Sequence, residues 1–300
     1  MSERRLVVSV DLDEWYHCRW ATGSLRSRWP STAACFREHY DADRPAGELV
    51  APTRRILDLF DRHRVRGTFF ILGEVAGFYP ELVREIAGRG HEIGCHGFHH
   101  VDIDLLGEAG FHEELTRGQR VLADLVGPAV TGYRAPNLLL RDFMIPVLRE
   151  LGFAYDASVC TSRSLLGKDF GHRHRAQNPY RFSAGFSCPD PGGDLVEIPL
   201  PTFPLLRLPA ATGILTRVLG RSWTLIGLRH ALRTGDAQYY FHPYELGPRP
   251  GIARGLRERV FLRHLGPWME RAVDDILGRL RHWGVRFVTA GELARAMTTS

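Results

Sequence analysis

No run of about 18 consecutive apolar residues occurs anywhere in the 300-residue chain, so no segment is expected to cross a membrane as a helix. The N-terminus, MSERRLVVSVDLDEW, lacks the longer apolar region and cleavage site of a secretory signal. Its apolar run is only LVVSV, and an acidic cluster follows at once. Cysteine is scarce. Cys18, Cys35, Cys95, Cys160 and Cys188 are odd in number, widely spaced and form no C-x-x-C pair, which argues against a disulfide framework and for reduced thiols. These absences lead to the expectation of a cytoplasmic protein. No repeat of fixed period is present. Charge of one sign is not in strong excess: the formal net charge is +5. A mild basic surplus suits anionic groups such as phosphates or lipid head groups. With no recognised binding motif beside it, no nucleic-acid partner is expected.

What is there reads as an ordinary soluble globular domain, 44% hydrophobic and 24% charged. Residues 1–300 are expected to form one catalytic domain, a length common for a closed α/β barrel. Short apolar, β-branched or aromatic runs alternate with helical patterns. The predicted strands are 6–10, 67–72, 91–95, 130–133, 152–155, 196–199, 238–242 and 285–289. The predicted helices lie near 52–64, 80–89, 106–126, 140–151, 212–233, 259–283 and 290–298. Such alternation implies a mainly parallel sheet covered by helices, and seven or eight strands favour a barrel over an open sheet. Two segments, 16–48 and 157–195, interrupt the pattern and are expected to be long loops on the rim, where a barrel keeps its active site.

The polar residues that stand out sit at predicted strand ends: Asp11 and Asp13 after LVVSV, His96 after HEIGC, Arg134 after VTGY, Asp156 after GFAY and His242 after QYYF. Parallel strands end on one face, so residues scattered in sequence should converge. In HGFHH, His96 and His100 are four apart and can share a metal on one helical face; His99 competes with His100 for that place. Two imidazoles and one carboxylate leave positions open for water and substrate. Such N/O ligands suit zinc, with cobalt, nickel or iron also fitting. Asp11 and Asp13 alternate along an extended segment and face the same way, so one can bind the ion while the other accepts a proton from the water it activates.

These residues carry a resemblance. In chain order, SVDLDEW, RGHEIGCHGFHH, YRAP, YDAS and FHPYE resemble the motifs of the polysaccharide deacetylases with a NodB homology domain, carbohydrate esterase family 4. The resemblance covers about residues 5–295. It implies a distorted (β/α) barrel of seven or eight strands and hydrolysis of the N-acetyl group of a sugar or glycan. It implies Asp11 as general base, oriented by Arg134, and Asp13, His96 and His100 as ligands of one divalent metal. His242 would be the general acid, tuned by Asp156, and the backbone N–H near Asn137 would help bind the oxyanion. Many relatives have an aromatic residue where this chain has Asn137, and the Trp that usually follows the fourth motif is absent from YDASVCTSRSLLG. Substrate contacts are expected from Trp15, Tyr16, Pro136, Asn137 and Tyr244, with Trp20 and Trp29 as further rim aromatics.

Two rival readings keep or discard the chemistry: a metal-dependent hydrolase of a non-sugar or cyclic amide, and a non-catalytic glycan-binding protein. The expected acceptor is a cytoplasmic acetylated intermediate, with a lipid-linked sugar as first candidate. That expectation also draws on 212–233, which reads as a helix with an apolar side and an arginine side. Arg217, Arg221, Arg229 and Arg233 lie on it, and no acidic residue stands between Glu197 and Asp236. Such a helix can lie in an anionic membrane interface, or be an outer barrel helix with its arginines in water. Gly213, Gly220 and Gly227 recur every seven residues, a spacing that suits close packing against another element.

Overall fold

β-Branched and aromatic residues form the strands, and nearly all of them are buried on both faces, as a parallel sheet under helices requires. The computed structural model describes residues 4–17, 29, 31–127, 130–162, 176–203, 207–251 and 256–299, and of 257 and 258 the backbone alone. The strands are β1 (Arg5–Leu12), β2 (Thr68–Ile71), β3 (Glu92–Cys95), β4 (Gly132–Tyr133), β5 (Tyr155–Asp156), β6 (Tyr180–Phe182), β7 (Leu195–Glu197), β8 (Ala237–Phe241) and β9 (Arg286–Val288). They form one sheet in the order β6-β7-β5-β4-β3-β2-β1-β8, with β9 also paired to β1. Every pairing is parallel except that of β6 with β7.

The sheet curls into a distorted α/β half-barrel. Among the described strands no ladder joins β8 back to β7. The buried side chain of Gln238 on β8 stands in for one: its amide donates to the carbonyls of Ile198 and Ala157, which follow β7 and β5. All eight strands read from the sequence are present. The unforeseen one is β6, an antiparallel edge strand inside 157–195.

The described helices are α1 (Thr32–His39), α2 (Val50–His63), α3 (Gly73–Phe78), α4 (Pro80–Gly88), α5 (Ile103–Val126), α6 (Met144–Glu150), α7 (Gly213–Leu219), α8 (Arg221–Thr234), α9 (Leu256–Phe261), α10 (Pro267–His282) and α11 (Ala290–Thr298). Within 16–48, α1 was not foreseen. Ser31 caps it, its hydroxyl accepting from the Ala34 N–H at 3.2 Å. The expected helix 212–233 is two helices. Gly220 takes φ +91°, its N–H closes α7 on the Thr216 carbonyl, and α8 starts beyond it. The span 259–283 divides likewise before Pro267, where Gly266 has φ +68°.

The heptad of glycines therefore does not line one face. A side chain at Gly213 would meet Glu245 and Phe241, one at Gly227 would meet Ala210, and Gly220 is the break itself. The arginines of 212–233 also divide. Arg217 is wholly buried, so it is not part of a solvent-facing basic stripe; Arg221 reaches Asp275 on α10, 3.2 Å away.

The glycine contacts give a test of the packing. Gly227→Ala would place a methyl 2.3 Å from the Ala210 Cβ. It is expected to destabilise the protein by about 1–3 kcal/mol through overpacking. Gly77→Ala meets nothing within 4 Å on the exposed side of α3. It is expected to stabilise by about 0.5–1 kcal/mol, because alanine loses less backbone freedom on folding. Urea unfolding of both variants checks the pair.

Candidate metal and catalytic site

The parallel registers set the level of the site. Cys95 pairs with Tyr133, Tyr133 with Asp156, and Asp156 with Glu197. His96, Arg134 and the residues after β5 thus leave the sheet side by side. On β1 the chain turns tightly after the strand, the Asp13 N–H bonding the Asp11 carbonyl at 2.8 Å. The two carboxylates serve one site with different partners.

Asp13 faces the histidines. Its Oδ2 lies 3.2 Å from His100 Nε2 and its Oδ1 3.9 Å from His96 Nε2. One ligand atom from each of the three residues lies within 4.8 Å of the others, and all three residues are buried. His96 Nδ1–H donates to the Arg134 carbonyl at 2.7 Å, which leaves Nε2 as the free donor atom. Asp13 Oδ1 and His100 Nδ1 are buried without a hydrogen-bond partner among the described residues. Burial by itself would raise the Asp13 pKa, but the charges of His100 and His96 outweigh it and hold the carboxyl well below its usual range. Burial lowers that of His96. A buried carboxylate, two buried imidazoles whose nitrogens converge with it on one point, and an orphaned carboxylate oxygen together fit a divalent cation. His99 does not belong to the set. Its ring and its backbone N–H are both tied to Glu114, at 2.8 and 2.7 Å.

Asp11 faces the other way across the site. Arg134 Nη1 donates to its Oδ1 at 2.6 Å, and His242 Nε2 lies 4.0 Å from its Oδ2. The Arg134 guanidinium is entirely buried and also donates to Ser9, to the Ala157 carbonyl and to Gln238.

The carboxylate on His242 is Glu245, not Asp156. Glu245 Oε2 accepts from the His242 backbone N–H at 2.8 Å and stands 3.3 Å from Nδ1. Asp156 is instead held by the N–H and hydroxyl of Ser158, at 2.9 and 2.7 Å, and its carboxyl meets that of Glu197, the last residue of β7. Burial raises the Asp156 carboxyl to about 6. Burial, and after it the Asp156 charge, raises the Glu197 carboxyl above its usual range as well. For His242, burial opposes the protonated form, but the hydrogen bond and charge of Glu245 overcome it and lift its pKa above the usual value.

The rim aromatics pack rather than stand open. Tyr16 is wholly buried and Trp15 nearly so, in a cluster with Trp29, Cys35 and Phe36, and the Trp15 indole N–H is held by Glu48 at 2.9 Å. They do not offer a free ring face for a sugar. Trp20 lies outside the described residues. Pro136 and Asn137 form a tight turn just past Arg134. Asn137 is at φ +57°, with its amide donating to Asp102 at 2.6 Å. Tyr244 stacks on the His242 ring, centroids 5.0 Å apart.

The sequence reading missed Glu197, Gln238, Glu245 and Arg217. Glu197 was open to the strand-end argument, because it closes the strand in VEIP. Glu245 stands three past His242, the spacing of a helix-capping box, and the pair forms one.

Comparison with known proteins follows the same residues. The sequence model of the family described as "Polysaccharide deacetylase" matches residues 42–155, which include His96, His100 and Arg134. Over that stretch, a little more than a third of its length, the chain is similar to the polysaccharide deacetylases. Among curated relatives it is 36% identical over 84 residues to the peptidoglycan-N-acetylglucosamine deacetylase of Bacillus cereus, covering 28% of this chain and 30% of that one. It is 33% identical over 103 residues to a chitooligosaccharide deacetylase of Bradyrhizobium, covering 34% and 47%. The chain spans about a third of the length of the first such relatives it matches. Solved structures extend the likeness of fold to nearly the whole family domain. One from Mycobacterium smegmatis, assigned by its name to the polysaccharide deacetylases, superposes with a TM-score of 0.65 at 21% identity, covering 99% of this chain and 91% of that one. A Bacillus anthracis chain described as a pseudoenzyme of carbohydrate esterase family 4 superposes at 0.55 and 13% identity, covering 98% and 66%.

The ligand geometry makes a metal measurement decisive. Purified protein loaded with Zn²⁺ and desalted is expected to hold one equivalent, and His96→Ala and Asp13→Asn to hold almost none. His99→Ala should retain it. Metal analysis by mass spectrometry checks this; a full equivalent left in His96→Ala would remove that histidine from the ligand set.

Proposed function

We propose that this protein is a metal-dependent N-deacetylase that hydrolyses the acetamide of an acetylated glycan. The observation that carries the reading is the position of Asp11. It is fixed by Arg134 on one oxygen, its other oxygen points toward His242, and it lies two residues from the Asp13 that faces His96 and His100. Residues of the family match and the acetamide-cleaving names of its relatives support the substrate class.

Asp13, His96 and His100 would hold the ion, for which zinc is the first choice, with cobalt, nickel and iron as alternatives. When bound, it supplies positive charge that polarises the acyl carbonyl and acidifies the attacking water. Asp11 takes the proton of that water. Arg134 keeps the Asp11 carboxylate aimed, because its other N–H groups are committed elsewhere and it cannot swing away. His242 enters protonated and gives the Nε2 proton to the amide nitrogen as the carbon–nitrogen bond breaks. Acetate and a free amine leave. The acceptor is proposed to be an N-acetylated sugar or oligosaccharide, and a lipid-linked one is the first to try.

The base and the acid are separable by experiment. Asp11→Asn should keep its equivalent of metal and lose about a hundredfold or more in kcat for acetate release, since it removes the proton acceptor. Loss of metal along with activity would transfer the ligand role to Asp11. For the acid the sign is fixed by its raised pKa: His242 is active while protonated. Activity should fall as pH rises through a value above the ordinary ~6.5 of histidine, and His242→Ala should lose that basic limb. A His242→Ala enzyme with wild-type rate and limb would rule out the acid role.

A further inference from the structure

Among the described residues, two arginines are the largest side chains buried completely. The first, Arg134, belongs to the site already described. The second, Arg217, comes from α7, far from any motif, and its guanidinium ends on Glu245. Nε donates to Glu245 Oε1 at 2.6 Å, with side-chain exposures of 1% and 0%. Nη1 donates to the carbonyls of Phe261, the last residue of α9, and of Arg263 in the segment that leads to α10. That segment returns the contact. His264 Nδ1–H reaches the Arg217 carbonyl at 2.8 Å, and the Gly266 N–H bonds the Glu245 carbonyl at 2.9 Å. Glu245 is thus gripped through one oxygen by Arg217, and its other oxygen holds the His242 backbone and ring. Gly213, the first residue of α7, leaves the room: a Cβ there would stand 2.0 Å from Glu245 Oε2.

We propose that Glu245, anchored by the buried Arg217, is the positioning residue of the general acid: it holds His242 with the proton of its neutral form on Nδ1, so that Nε2 faces Asp11 and the substrate. The inference rests on reading His242 as the acid. A buried guanidinium facing a carboxylate at 2.6 Å keeps that carboxylate ionised, and Glu245 is accordingly lowered to about 2: burial opposes this, and the Arg217 charge overcomes it. A permanently negative oxygen beside Nδ1 selects the tautomer and orients the ring. Tyr244 stacks on one face of the imidazole and Tyr240 meets it edge-on, centroids 5.4 Å apart, so the ring has little freedom to turn. The other charged or titratable groups facing His242 are Asp11 and Asp13 from β1, with Arg134 from β4 holding Asp11. The Asp156–Glu197 pair is left to the other arm, where its charge faces Arg134.

The test uses Glu245→Gln, which keeps size and removes charge. Metal content and KM should stay within about twofold of wild type. The rate at pH 8 should fall about tenfold or more, and the basic limb should move down by about one pH unit or more. Glu245→Asp should recover part of the limb shift. A uniform loss of rate with the limb unmoved would mean that Glu245 only supports the fold, and would overturn the proposal. A second measurement needs no variant to fold: nitrogen spectra of histidine-labelled wild-type protein at high pH. They should show neutral His242 protonated at Nδ1; protonation at Nε2 overturns the proposal. The two readings fail differently. An active His242→Ala enzyme sinks the acid role, whereas an inactive one beside a Glu245→Gln enzyme of wild-type rate and limb sinks only the positioning role.

Discussion

The buried guanidinium of Arg134 is the constraint on which the site depends. A charge taken out of water costs several kcal/mol unless its N–H groups are matched. Here they are matched by Ser9 and Asp11 on β1, the Ala157 carbonyl after β5 and Gln238 on β8. The rings of Phe70 and Tyr240 lie against it, at 4.2 and 5.1 Å from the guanidinium carbon. The partners come from strands far apart in the sheet order, so the guanidinium is satisfied only when the sheet has curled. Gln238 carries the connection on to the Ile198 carbonyl, across the side where no ladder closes the barrel. Holding Asp11 and holding the sheet's curvature are the same set of hydrogen bonds.

Arg217 repeats the device for His242. Asp11 touches its arginine directly. His242 touches its arginine only through Glu245, as befits a group that must hold a proton: a guanidinium beside the ring would repel the imidazolium, while a carboxylate between them attracts it. Two groups 4.0 Å apart are thus each anchored by a buried arginine, one directly and one through a carboxylate. The difference lies in whether one carboxylate or none intervenes.

The sequence made the strands legible because each is a short apolar run, and the residue after each is polar. That rule found Asp11, Asp13, His96, Arg134 and His242, and the parallel registers put them on one face. It did not say which carboxylate serves which partner beyond what the family motifs imply. The Asp156 assignment shows the cost: both Asp156 and Glu245 are near enough in sequence to a motif to be a partner, and only the turn after β8 decides. Arg217 was legible as an arginine on a helix but not as a buried one. Its burial depends on Gly220 breaking the helix at φ +91° and on a carbonyl cluster 44 residues later, neither of which periodicity carries. Tyr16 and Trp15 follow the same logic in reverse. Aromatics in a polar stretch read as open rings, yet Phe36 on the unforeseen α1 covers them.

A shared fold does not by itself make a shared chemistry. A Bacillus anthracis relative described as a pseudoenzyme shares the fold at a TM-score of 0.55, so the half-barrel by itself carries no activity. The stretch matched by the family's sequence model, 42–155, contains two of the three metal-facing residues and the arginine. It contains neither Asp13, nor the base candidate Asp11, nor the acid candidate His242. Those three lie on β1 and after β8, which are neighbours in the sheet though more than 220 residues apart in the chain. The part of the sequence most easily recognised therefore supplies an incomplete site. What completes it is the pairing of the first strand with one of the last, and the proton chemistry stands or falls with that pairing.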